Sequence, residues 1–180
     1  MTIAGVRLQL LHTPGETREN IAVWLPDKRV LMAGDDFYGA FPNLYPIRGG
    51  RLRPPEPWIA SLETMLALGA EHLVPGHTRP ITQAANVRAA LTAYRDAIQS
   101  VLDQTLAGMR KGERPDELVQ HVKLPPQLAD SPYLQESVNG DAKRIKGQAL
   151  TELGERQINA SARNYYLSAA QHLLRGRPPQ

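Results

Sequence analysis

The sequence predicts an α/β fold, with about one β-sheet, its flanking helices and a helical segment after them. Short apolar runs of strand length occupy the first part of the chain, and a Pro/Asp turn joins two of them, which is typical of a hairpin. Longer segments follow in which apolar residues recur at intervals of three and four, the period of a helix. The predicted order is therefore three strands, a long loop, a helix, a fourth strand and further helices.

Four strands are predicted, and each ends within two residues of a proline or glycine, which interrupt strands. They are Val6–His12, Ile21–Leu25, Arg29–Ala33 and His72–Val74. Between the third and fourth strands, Phe37–Pro57 is rich in proline and glycine and is predicted to be a loop. Loops of that length are often functional.

Five helices are predicted from apolar periodicity, and the last two suit a helical hairpin. They are Trp58–Leu68, Thr82–Met109, Pro115–Val122, Asp141–Leu153 and Ala160–Leu174. We therefore expect an α/β domain at residues 1–112 and a helical segment at residues 113–180.

Composition narrows the classes of function. Hydrophobic residues make up 42% of the 180 residues, enough for a packed core, and the net charge is only +3 with no run of like charges. No nucleic-acid partner is expected from so scattered a charge. The chain has no cysteine, so disulfides and thiolate metal sites are excluded and a metal would need His, Asp or Glu.

Membrane and export signals are not predicted either. No apolar stretch reaches the roughly 18 residues that a membrane-spanning helix needs. The amino terminus has no charged segment followed by an apolar core, so no secretory signal is expected in this chain. These observations leave the cellular compartment open.

Three residues with metal-binding side chains follow the predicted strands. Glu16 lies in a Pro-Gly-Glu turn after the first strand, Asp35 follows the third strand, and His77 follows the fourth. The carboxyl ends of strands are the usual ligand edge in α/β sheets. Carboxylate oxygen and imidazole nitrogen suit zinc or a similar divalent ion.

Each of these residues also has a structural interpretation. Glu16 could be a solvated turn residue, and Asp35 could accept hydrogen bonds from backbone N–H groups in a turn. His77 could be a surface residue of a loop. Spacing alone therefore leaves both interpretations open.

Longer motifs resemble the alkylsulfatase branch of the metallo-β-lactamase superfamily. The first is LHTPGETRENIAVWLPDKRVLMAGDDF at Leu11–Phe37, where Glu16 stands in place of the usual His of the turn. FPNLYPIRG at Phe41–Gly49 and LVPGHTRPI at Leu73–Ile81 also resemble that branch. The helices from Leu91 to Glu136 and from Asp141 to Leu173 resemble its linker and its dimerisation domain.

The resemblance implies a fold and a site. The fold would be part of the family's αββα sandwich, followed by a helical segment of the dimerisation type. Glu16, Asp35 and His77 would be zinc ligands, with Asp35 bridging the two ions found in intact relatives. Arg48 would bind the sulfate group with Asn43 beside it, and the attacking group would be metal-bound hydroxide.

Departures from the family pattern predict an incomplete enzyme. The His-x-His-x-Asp-His motif is absent, and no two histidines are separated by one residue. Only Ser-Val-Asn-Gly separates two motifs that a long helical stretch joins in relatives, which predicts an internal deletion near residues 136–141. The expected partners are an alkyl sulfate substrate and either a second copy of the chain or a missing amino-terminal half.

Three functions are compatible with the sequence. The first is zinc-dependent hydrolysis of alkyl sulfate esters, incomplete in the isolated chain. The second is a non-catalytic dimerisation or interaction module, or half of a split enzyme. The third is another chemistry of the superfamily, such as thioester or lactam hydrolysis, against which Glu16, Asn43 and Arg48 argue.

Overall fold

A computed structural model of the chain describes residues 1–44 and 53–134. The chain divides into two compact units, Met1–Gln135 and Glu136–Gln180, and every element below belongs to the first. The two last predicted helices and the predicted deletion near residues 136–141 lie outside the described residues. The predicted domain boundary at residue 112 stays a prediction.

Within the described residues, seven strands form two sheets. They are β1 (Thr2–Ile3), β2 (Val6–Arg7), β3 (Gln9–His12), β4 (Ile21–Leu25), β5 (Val30–Gly34), β6 (His72–Pro75) and β7 (Ile81–Thr82). The first two strands pair with each other, and the other five form one mixed sheet in sequential order. Because β4 is antiparallel to both β3 and β5, and β5 is parallel to β6, strands β3, β5 and β6 run in the same direction.

In the part of the chain that the structure describes, four helices accompany the sheet: α1 (Pro55–Ala67), α2 (Ala84–Arg110), α3 (Pro115–His121) and α4 (Pro126–Ala129). Proline stands in the first turn of α1, α3 and α4, where its missing N–H has no helical partner to lose. None of the helices in the described ranges is long and apolar enough to cross a membrane.

The predicted α/β fold is confirmed, with local differences. The predicted first strand is divided into β2, which pairs with β1, and β3, which pairs with β4 from Gln9 onward. Between them, the N–H of Leu8 still bonds to the carbonyl of Met1 in the register of the first pair. Helix α1 begins three residues before the predicted start, since two prolines favour the entry to a helix as well as a loop. Helix α4 is not among the predicted helices, because its four residues are too short to show a helical period.

The core lies between one face of the large sheet and helices α1 and α2. Its largest members are the aromatic rings of Phe37, Trp58 and Tyr94, all buried, with ring centroids of Phe37 and Tyr94 4.8 Å apart. Trp58 meets Tyr94 edge to face at 6.2 Å. This cluster packs α1 and α2 beneath the loops that leave the sheet.

The opposite face of the sheet carries an exposed apolar row. Leu10, Val23, Met32 and Val74 pair directly across four neighbouring strands. Leu10 and Met32 are 55% and 41% exposed. Exposed apolar rows of this kind are found where another surface packs.

Candidate functional site

The predicted ligand edge of the sheet is formed by the ends of β3, β5 and β6. Since these strands run in the same direction, Glu16, Asp35 and His77 leave the sheet on one side. All three line a single cavity of about 250 Å³, together with Tyr38, Asn43 and Arg53. The predicted trio is therefore brought to one place, although its members are not equally close.

Asp35 and His77 adjoin each other. Nε2 of His77 lies 3.4 Å from Oδ1 of Asp35, and both side chains are open to solvent, at 73% and 45% exposure. Gly76 allows this approach, because a Cβ on it would lie 1.9 Å from Oδ1 of Asp35. The N–H of Gly76 also donates to the carbonyl of Gly34, at 2.7 Å, which joins the ends of the two strands.

The turn that carries Glu16 is fixed by hydrogen bonds to its backbone groups. The N–H of Glu16 donates to Oδ1 of Asp36 at 2.8 Å. Ser61 of α1 donates its hydroxyl to the carbonyl of Pro14 at 2.9 Å, and Nε1 of Trp58 donates to the carbonyl of Asp36 at 3.0 Å. Helix α1 thus anchors both the turn that carries Glu16 and the segment that carries Asp35.

Arg53 is a site residue that the sequence interpretation missed. Its Nη2 forms an ion pair with Oε1 of Glu16, and the two side chains are only 12% and 16% exposed. Its Nη1 donates to the carbonyl of Asn43 at 2.8 Å. Arg53 is one of several arginines in a proline-rich stretch, and only its place just before α1 distinguishes it once the start of that helix is known.

The segment around Asn43 is held from both sides. Its carbonyl accepts the hydrogen bond from Arg53, and its N–H donates to the hydroxyl of Tyr38. Asn43 lines the cavity, and its place beside a sulfate group stays a prediction. Arg48, the predicted sulfate-binding residue, lies outside the described residues.

Asp36 is a buried carboxyl group behind the cavity. Burial raises its pKa to about 7, and the hydrogen bond from the N–H of Glu16 opposes that rise, with smaller effects of the same sign from Asn20 and Thr13. In the described part of the chain, Oδ2 of Asp36 meets no donor at hydrogen-bond distance. The ionised form is therefore poorly satisfied, and the folded protein favours the protonated form.

This pKa predicts how stability changes with pH. The ordinary pKa of the group is 3.8, so between about pH 4 and 7 the folded protein keeps a proton that the unfolded chain has lost. The free energy of unfolding therefore falls as the pH rises through that window. Asp36→Asn removes this pH-dependent decrease in the free energy of unfolding. The variant is expected to stabilise the protein at pH 8 by a few kcal/mol, at most about 4.

The measurement is urea unfolding with a chelator present, at pH 5 and pH 8, for the parent and for Asp36→Asn. The stabilisation by the variant is expected to be larger at pH 8. If the difference in the free energy of unfolding between the two proteins were the same at both pH values, the raised pKa of Asp36 would be contradicted.

The side chains that line the cavity include atom types that bind metal ions, but only some of these side chains lie close enough together. Two carboxylates and one guanidinium give the cavity a net charge of −1 when His77 is neutral, which favours a cation. Within residues 1–44 and 53–134, however, no three such side chains are grouped closely enough to hold a metal ion. Asp35 and His77 adjoin, whereas the carboxylate of Glu16 is paired with Arg53.

Residues 2–77 match the protein-family model described as "Metallo-beta-lactamase superfamily". Among curated proteins, the chain is 44% identical over 137 residues to a linear primary-alkylsulfatase of Pseudomonas sp. (strain ATCC 19151). That match covers 75% of this chain and 26% of the relative. An alkyl/aryl-sulfatase of Saccharomyces cerevisiae is 27% identical over 131 residues, 71% of this chain and 20% of that protein.

A similar fold is found in a solved structure, the stereoselective inverting sec-alkylsulfatase Pisa1 of Pseudomonas sp. The TM-score is 0.73 at 21% identity, and the match covers 99% of this chain and 41% of that one. At that identity the likeness bears on fold alone. The chain spans about a quarter or less of the length of the curated alkylsulfatases named above.

Proposed function

We propose that the chain, whose residues 2–77 match the metallo-beta-lactamase superfamily, acts in zinc-dependent hydrolysis of alkyl sulfate esters. The observation that carries the proposal is one cavity lined by Glu16, Asp35 and His77 together with Arg53. Its donor types match a divalent metal, and its guanidinium matches a sulfate group. The similarity to alkylsulfatases supports the same class of substrate.

The metal would be held by Asp35 and His77, with Glu16 as the third ligand once its carboxylate is released from Arg53. An ion bound there supplies Lewis acidity, which activates water and stabilises charge that develops on a sulfate oxygen. The net negative charge of these donors, with Arg53 included, favours binding of a divalent cation.

Arg53 would contribute the positive charge that an anionic ester needs. A guanidinium presents N–H groups in a planar fork that matches two oxygens of a sulfate. The hydrogen bond from Arg53 to the carbonyl of Asn43 keeps the guanidinium at the cavity wall. Arg48, predicted from the sequence, would be a second sulfate-binding residue. We assign no described residue as the proton donor to the leaving alcohol.

Zinc affinity tests the metal site. We expect the chain to bind zinc, and Asp35→Ala to lower the affinity by about 10–100-fold, since a direct ligand should matter at least as much as outer-shell groups. The matched control is Asp27→Ala, which removes an exposed carboxylate paired with Arg7 at the opposite end of the hairpin. Equal affinities in Asp35→Ala and the parent would refute the site.

Hydrolysis tests the reaction. Hexyl sulfate is a suitable substrate, because its short chain is a weaker denaturant than a long-chain detergent, and release of inorganic sulfate is the readout. We expect release that depends on added zinc and is lost in Asp35→Ala. Zinc binding without release would favour the alternative in which a partner polypeptide completes the site.

A second candidate function, a non-catalytic interaction module, is favoured by the exposed apolar row of the sheet. Leu10 and Met32 in that row, and Ile21 beside it, are 55%, 41% and 52% exposed. If interaction were the function, the chain would self-associate in a manner that Met32→Lys weakens and Asp35→Ala leaves unchanged. Sedimentation of the two variants separates this candidate from the hydrolase.

A further inference from the structure

The ion pair between Glu16 and Arg53 stands apart from the other ion pairs on this surface. Its two side chains are 16% and 12% exposed, whereas both partners in the pair of Arg7 with Asp27 are 58% exposed. Exposed pairs contribute little, but a largely buried pair interacts strongly and leaves a costly unpaired charge when it is broken. Arg53 therefore interacts strongly with Glu16, one of the three proposed metal ligands.

A metal ion and Arg53 compete for the carboxylate of Glu16. Oε1 of Glu16 is already paired with Nη2 of Arg53. A divalent cation on the same carboxylate would stand close to the guanidinium, and like charges repel strongly where water is largely excluded. Either cation alone neutralises the carboxylate, but the two together oppose each other.

The hydrogen bond between Arg53 and Asn43 indicates where the guanidinium remains when it leaves Glu16. Nη1 donates to the carbonyl of Asn43, and this bond does not involve Glu16. The N–H of Asn43 is held in turn by the hydroxyl of Tyr38. A guanidinium released from Glu16 thus remains tethered at the wall of the same cavity, with its Nη2 free to receive an anion.

We propose that Arg53 is an internal competitor of the metal ion for Glu16, and that metal binding transfers its guanidinium from Glu16 to an anion in the cavity. The inference rests on the proposed function only in taking Glu16 as a metal ligand. This transfer makes binding of the cation and binding of the anion cooperative. By thermodynamic linkage, each ion must strengthen the binding of the other by the same factor.

The first test is zinc affinity, measured by competition with a chromogenic chelator at pH 8. Arg53→Gln removes the competing charge, and we expect it to bind zinc about tenfold more tightly than the parent, a factor within the usual range of coupling between sites. Arg7→Gln is the matched control, because it removes the same charge from an exposed ion pair, and its zinc affinity should equal that of the parent. Zinc binding in Arg53→Gln that is no tighter than in Arg7→Gln would overturn the proposal.

The second test is linkage, with inorganic sulfate as the anion. In the parent, saturating zinc should raise the affinity for sulfate about fivefold or more, and saturating sulfate should raise the affinity for zinc by the same factor. In Arg53→Gln this coupling should shrink to little above unity. Coupling of equal size in both proteins would show that the anion binds the metal alone, and the transfer of Arg53 would be rejected.

Neither test measures hydrolysis, so failure of the proposed reaction and failure of this inference are distinguishable. If the chain shows the predicted coupling but releases no sulfate from an ester, the hydrolase proposal is rejected. The proposed transfer of Arg53 from Glu16 to the anion is then still supported. Should Arg53→Gln not fold, Arg53→Lys takes its place, because an ammonium cannot hold Glu16 and the carbonyl of Asn43 with a planar fork. It is expected to bind zinc a few-fold more tightly than the parent, and unchanged affinity would count against the proposal.

Discussion

Trp58→Ala is expected to lower the free energy of unfolding by about 3–5 kcal/mol, the usual cost of deleting a large aromatic side chain from a core. The indole ring is fully buried and meets Tyr94 edge to face. Its loss opens a cavity beneath α1 and also leaves the carbonyl of Asp36 without the hydrogen bond from Nε1. Urea unfolding followed by circular dichroism measures the change.

The same substitution should weaken the proposed metal site, because the ring supports both segments that carry its proposed ligands. A Cβ on Gly15 would lie 2.6 Å from Cδ1 of Trp58, so the turn that carries Glu16 rests directly on the indole. The other segment is held through the carbonyl of Asp36. We therefore expect zinc affinity to fall about tenfold in Trp58→Ala, as for other residues that position ligands.

Trp24→Ala is the matched control for this prediction. Trp24 is the other tryptophan of the chain and is 7% exposed, but it lies on β4, away from the ligand edge. It should cost stability of the same order and leave zinc affinity nearly unchanged. Equal losses of zinc affinity in both variants would mean that the site responds only to global stability.

Most of the longer strands and helices could be predicted from the sequence because their signals are local. β4 was expected at the bounds that the structure gives it, and α2 within two residues of them, since alternation and helical periodicity lie within single segments. β7 could not be found in this way, because two residues, Ile81–Thr82, carry no periodicity and become a strand only by pairing with β6. Strand identity at such a length is a tertiary property.

The site was partly predictable for a related reason. Asp35 and His77 follow strands that are neighbours in the sheet, so knowing the strand ends was enough to bring them together. The pairing of Glu16 with Arg53 joins residues 37 positions apart, with β4 and β5 between them, and no spacing rule predicts it. The burial of Asp36 likewise depends on Trp58 and on the turn before Glu16, which meet only in the folded chain.

Gly76→Ala is expected to disrupt the ligand edge with the smallest possible change in side chain. The added Cβ would lie 1.9 Å from Oδ1 of Asp35 and 2.9 Å from the carbonyl carbon and oxygen of Gly34. The Asp35 side chain can rotate away, but Gly34 ends a strand that pairs with β6, so the backbone must also shift. We expect a loss of about 1–3 kcal/mol in the free energy of unfolding from this overpacking.

The larger consequence is for metal binding, because Asp35 can avoid the new methyl group only by leaving the position in which its Oδ1 adjoins Nε2 of His77. Zinc affinity should fall about 10–100-fold, as when groups that orient ligands are removed. Gly112→Ala serves as the control: Gly112 has a positive φ of 79° and open space around it, so alanine there strains the backbone without touching the site. A Gly76→Ala protein that binds zinc as tightly as Gly112→Ala would show that Asp35 and His77 do not bind the ion together.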